Sequence, residues 1–199
     1  MLTELATEID GFVHISRQYL PTALVLLGGL WLFNIANWAL GSPLNVLGIR
    51  PRKMMGLIGI LFAPFLHGNF SHLLFNSLPL VALGLFVMTL GLEQFYLATV
   101  IICVLSGLSV WLIGRRGIHI GASSLIAGYF GFLLAVAYHH PSITTLFAAG
   151  VAVYYFGGIL LSLFPTQDSV SWEGHLSGFL SGVVAMVASR YFWLSTAHF

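Results

Sequence analysis

The chain has little charge: 7% of its 199 residues are charged, 58% are hydrophobic, and mean hydropathy is +0.96. A soluble domain carries about 25% charged residues, so that class is excluded. The net charge is +1 and no Lys/Arg cluster follows a helix face, so nucleic acid is not an expected partner. Cys103 is the only cysteine, which rules out an internal disulfide. The only aspartates, Asp10 and Asp168, do not form the intramembrane pair that aspartyl chemistry needs. No His-Glu-x-x-His helix occurs, which argues against a zincin-type hydrolase. His139-His140, beside Pro141, reads as a turn without ligand partners, so no metal or cofactor is expected. No 20–50-residue repeat and no low-complexity tract divides the chain.

What the chain has is long apolar runs. A span needs about 20 apolar residues. Six runs qualify: about 19–40, 71–90, 92–113, 120–139, 142–163 and 174–194. The expected fold is an all-α membrane protein, a bundle of six transmembrane helices over 19–199 preceded by a short N-terminal segment, 1–18. That segment carries Glu4, Glu8 and Asp10 against only Arg17, unlike the basic start of a cleavable signal. Gly41-Ser42-Pro43 ends the first run, Gly91-Leu92-Glu93-Gln94 forces a tight turn, and the fifth run ends before Pro165. Residues 41–70 include an apolar stretch too short to cross, Met54 to Leu66. With Gly56, Gly59 and Pro64, it reads as a partly embedded loop of non-helical backbone shielded by protein.

Polar groups at the mouths of these runs are costly unless paired, so each is a functional hypothesis. Ser123 opens the fourth run in Gly121-Ala122-Ser123-Ser124, where a helix N-terminus offers unpaired N–H groups to an oxyanion. A bland reading competes: Ser123 or Ser124 as an N-cap, or as small-residue packing. His175 opens the sixth run. Glu173, two residues away, points roughly 200° around the helix, and Asp168 lies in the preceding connection. If His175 is a base it works in a dyad with Ser123; otherwise it is an imidazole bonded to a neighbouring helix. Gly178-x-x-x-Gly182 would let the sixth helix approach Ala127, Gly128 and Gly131 of the fourth. The two helices enter from the same side, so Ser123 and His175 should match in depth. His72 and Asn76, four apart in the second run, share a helical face and could donate to an oxyanion; as a rival reading they glue helices together. His67 reads as structural.

Taken together, His72-x-x-x-Asn76, Gly121-x-Ser123 and His175-x-x-Gly178-x-x-x-Gly182 resemble the rhomboid intramembrane serine proteases over roughly residues 15–195. The resemblance implies a rhomboid-like six-helix bundle with Ser123 as nucleophile and His175 as general base. Asn76, His72 and the Ser123 backbone N–H would form the oxyanion hole. It implies single-pass transmembrane protein substrates, a lipid bilayer as medium (a bacterial-type plasma membrane) and no cofactor. Ser124 stands where the family usually has Gly, Ala127 where an aromatic is common, and Ile49-Arg50-Pro51-Arg52 where many members have a Trp-Arg pair. The alternatives are a non-catalytic rhomboid-fold binder of transmembrane helices and a small transporter. The transporter is disfavoured because no broken helices recur in corresponding halves.

Charge and resemblance disagree on orientation. With six spans, Arg50, Arg52, Lys53, Arg115 and Arg116 fall on one side, and Arg17 with Arg190 on the other. The positive-inside rule then puts the loop before Ser123 in the cytoplasm. The resemblance implies the reverse, with the N-terminus cytoplasmic. That orientation is adopted, because Arg50, Arg52 and Lys53 belong to the embedded loop.

Overall fold

The computed structural model describes the backbone of residues 2–164 and 171–196 and the side chains of 6–7, 9–164 and 171–189. Asp168, Pro165 and the Arg190 side chain lie outside the described residues. Eight α-helices appear in the described backbone: α1 Leu2–Ala39, α2 Gly59–Phe62, α3 Phe70–Met88, α4 Leu92–Ile113, α5 Ser123–His139, α6 Ile143–Phe156, α7 Gly158–Leu161 and α8 Trp172–Thr196.

Three of them, within Ile9–Ala39, Phe70–Met88 and Leu92–Ile113, are long and apolar enough to cross a bilayer. The helix α5 has 17 residues, short of the usual 20, but it packs against α3, α4, α6 and α8. Its buried side chains run from Ile126 to Ala137.

Breaks fall where local chemistry puts them. The chain leaves α1 through Gly41 at φ +83 and Ser42 at φ +63, then enters a 3₁₀ turn, Pro43–Leu47. Gly91 at φ +120 makes the tight turn between α3 and α4. Two boundaries differ from those expected. The first helix begins at Leu2, because the polar residues before Tyr19 do not break a helix even though they fall outside the apolar run. The fifth run is not one helix: α6 stops at Phe156, and Gly157, a poor helix former, separates it from α7, which itself opens on Gly158.

The segment 41–66 is built of 3₁₀ turns plus α2; its part from Met54 to Phe65, expected as non-helical backbone, is instead a run of short helical turns, too short by length to span a bilayer. Gly56 and Gly59 are buried, and a Cβ on either would strike the backbone of Arg50 or of Gly48 and Ile49. The segment is tied to α1, where Asn34 donates to the Phe65 carbonyl at 2.9 Å and accepts from the His67 N–H at 2.9 Å. It is also tied to the strand-like residues before α5. Ile49 and His119 exchange backbone bonds of 2.9 and 2.8 Å, and the Gly121 N–H donates to the Ala63 carbonyl at 2.9 Å. The loop leading into Ser123 is therefore held on a rigid shelf.

Candidate active site

The helix α5 starts at Ser123, with Ala122 at the N-cap and no side chain capping it. Ser123 is thus not an N-cap, one of its bland readings. Among the described residues the N–H groups of Ser123, Ser124 and Leu125 find no acceptor; the first helical bond is Ile126 N–H to Ala122 O at 3.0 Å. The Ala122 N–H instead donates to His67 Nε2 at 3.5 Å. His67 is fully buried, its carbonyl accepts from Trp38 Nε1 at 2.8 Å, and its role is to fix this turn. Desolvation, then the neighbouring His72, pushes the His67 imidazole down to about 4.

Asn69 caps α3 by accepting from the His72 N–H at 2.8 Å. The cap sets the helical register, and with it the shared face of His72 and Asn76. Both side chains converge on Gly121. A Cβ there would lie 2.7 Å from His72 Nε2 and 3.6 Å from Asn76 Nδ2, and its φ of +117 already disfavours a side chain. Asn76 is buried, and its Nδ2 has no hydrogen-bond partner.

Helices α5 and α8 run parallel, since their contacts advance together along both chains. Gly174 faces Ser124 Oγ, Gly178 faces the Ser124 carbonyl and Gly182 faces the Gly128 carbonyl. The small-residue contact expected from Gly178-x-x-x-Gly182 is therefore present. Ser124 is built into the helix contact that the bland reading assigned to either serine, and it also lines the cavity that Ser123 lines.

Ser123, His175, His72, Asn76 and Gly121 line one cavity of about 670 Å³, which Arg115, Arg116 and His119 also border. No hydrogen bond joins Ser123 and His175 among the described residues. His175 Nδ1 instead meets Ser162 Oγ at 2.8 Å. Glu173 points away from His175, as its spacing implied, and accepts from Arg115 Nε at 2.7 Å while 3% exposed.

Four contributors went unread in the sequence. Ser162, Ser171 and His119 carried no spacing signal, and Glu173 was read only as too far round the helix. His119 Nε2 donates to the Arg115 carbonyl at 2.9 Å, which leaves Nδ1 to accept from Ser171 Oγ at 3.0 Å. Ser171 also accepts from the Gly174 N–H at 3.4 Å, so these bonds join the loop before Ser123 to the start of α8.

Chemically, the arrangement offers a hydroxyl at a helix N-terminus, an imidazole lining the same cavity, and an unpartnered amide donor on a third helix. A family model described as "Rhomboid domain" matches residues 55–192. An uncharacterized protein of Mycobacterium tuberculosis (strain H37Rv) is 45% identical over 174 residues, covering 82% of this chain and 72% of its own. One from Mycobacterium bovis shows the same 45% identity over the same shares of both chains. An uncharacterized protein of Mycobacterium leprae is 36% identical over 173 residues, covering 82% of this chain and 68% of its own.

Proposed function

As this chain belongs to the rhomboid family, we propose that it is an intramembrane serine protease that cuts transmembrane substrates with a Ser123–His175 dyad. In this reading the runs around α1, α3, α4, α5, α6–α7 and α8 are six crossings of the membrane. The short α5 is tolerated because protein surrounds it. The N-terminus is cytoplasmic, in a bacterial-type plasma membrane. Cysteine accessibility at position 116 against 140 in intact cells tests the orientation, with labelling from outside expected at 116.

Neutral His175 takes the Ser123 proton as Oγ attacks the substrate carbonyl and the C=O π bond becomes an oxyanion. His72, the Asn76 amide and the Ser123 N–H donate to that oxyanion. The imidazolium then protonates the leaving amine as the C–N bond breaks, and water entering the cavity hydrolyses the acyl-enzyme by the same steps.

The observation that carries the reading is the Asn76 Nδ2 donor, buried without a partner on the cavity that Ser123 and His175 share. A donor used only as helix glue would be satisfied; one waiting for a developing charge would not. The missing Ser123–His175 bond favours the rival, a non-catalytic binder of transmembrane helices. It weighs less, because catalytic bonds are often long before substrate binds. A fluorophosphonate probe with mass spectrometry decides: modification of Ser123, lost in Ser123→Ala and in His175→Ala, supports the protease. Cleavage of a transmembrane reporter that survives in Ser123→Ala overturns it.

A further inference from the structure

His175 is gripped from outside the cavity. Ser162, at the end of α7, does not line that cavity, yet its Oγ lies 2.8 Å from His175 Nδ1. The single proton of that hydroxyl goes to the Ile159 carbonyl at 2.6 Å. A hydroxyl that has donated its proton can offer only lone pairs, so Nδ1 must be the nitrogen that carries hydrogen. A neutral imidazole has one N–H, and Nε2 is left bare.

We propose that Ser162 is a positioning residue that fixes His175 in its Nδ1–H tautomer, leaving Nε2 as the proton-accepting atom toward the cavity. The consequence for catalysis rests on the protease reading; the tautomer itself is a property of the resting protein. Ser162 holds the place that an acid takes in a triad, and it does so without charge. It sets the orientation and tautomer of the ring but adds no ionic stabilisation of the imidazolium. Glu173 does not compete for this place, because it is engaged with Arg115.

The test uses the full chain in detergent with ¹⁵N-labelled histidine. Long-range proton–nitrogen spectra identify the tautomer, and the His175 signal is assigned by its loss in His175→Gln. Wild type is expected as Nδ1–H. Ser162→Ala should populate Nε2–H and lower kcat roughly 3- to 10-fold, the worth of one neutral hydrogen bond, with KM unchanged. Ser162→Thr should restore both readouts. A wild-type Nε2–H signal, or a Ser162→Ala spectrum identical to wild type, overturns the proposal. The wild-type spectrum decides even if Ser162→Ala fails to fold. Should the wild type cleave no reporter, the protease reading fails while the spectra still decide the tautomer. A protease with an Nε2–H ring would sink only the role of Ser162.

Discussion

Gly121 lies so close to His72 that a Cβ on it would sit 2.7 Å from the imidazole Nε2, and its φ is +117. The glycine thus keeps open the space that His72 and Asn76 border, just ahead of the Ser123 helix. The shelf formed by residues 41–66 holds it there through the Ala63 carbonyl. Gly121→Ala meets two obstacles, a backbone conformation that costs about 1–3 kcal/mol for a residue with a side chain and a clash with His72. The expected outcome is a lower melting temperature in detergent together with loss of reporter cleavage. Wild-type kcat in this variant would show that the space beside His72 is not used.

Asn76→Ala separates an oxyanion donor from helix glue. Losing one oxyanion donor lowers kcat by about 10²–10³-fold. The same change removes a buried, unpartnered Nδ2, which costs about 1–3 kcal/mol while unsatisfied. Melting should therefore hold steady or rise while cleavage collapses. A fall in both would mark Asn76 as structural.

The features legible in the sequence are those that obey a short period or a local rule. The run 92–113 coincides with α4 because a helix of that length between two glycines has no competing structure. His72 and Asn76, Ser123 at its helix start, and Gly178 with Gly182 were readable because helical spacing alone fixes their faces. Bonds between distant segments were not readable. His119 and Ser171 are 52 residues apart, Arg115 and Glu173 are 58 apart, and no periodicity links such positions. Arg115 illustrates the consequence: it was counted as a topology signal, whereas its guanidinium is bonded to a buried carboxylate.

His67 gives the fold an acid limit. Its ring is fully buried, and burial together with His72 lowers it from 6.5 to about 4. The unfolded chain therefore binds a proton at a higher pH than the folded one. Stability is fully present above about 6.5 and is lost as pH falls from 6.5 toward 4. A shift of that size corresponds to about 3 kcal/mol. Melting temperature should decline over this window in wild type and much less in His67→Gln, which keeps a polar side chain beside the Ala122 N–H. An equal decline in both would assign the acid sensitivity elsewhere.

Gly182 tests whether backbone contact between α5 and α8 is what holds Ser123 and His175 at one cavity. A Cβ on Gly182 would press into the Gly128 carbonyl and lie 2.8 Å from the Phe132 nitrogen. Those are backbone atoms in the middle of α5, so no side chain can rotate away to make room. Only separation of the helices relieves the clash, and overpacking of this kind costs about 1–3 kcal/mol or more. Because Ser123 and His175 sit on these two helices, a separation that leaves the protein folded should still lower kcat. Gly150 in α6 is the control, since nothing lies within 4 Å of its added Cβ. Gly150→Ala should hold or raise melting, as alanine favours a helix interior, and leave cleavage unchanged, whereas Gly182→Ala should lower both. If the two variants melted alike, the close approach of α5 and α8 would not be what limits stability, and the placement of Ser123 and His175 at one cavity would have to depend on the loop bonds around His119 and Glu173.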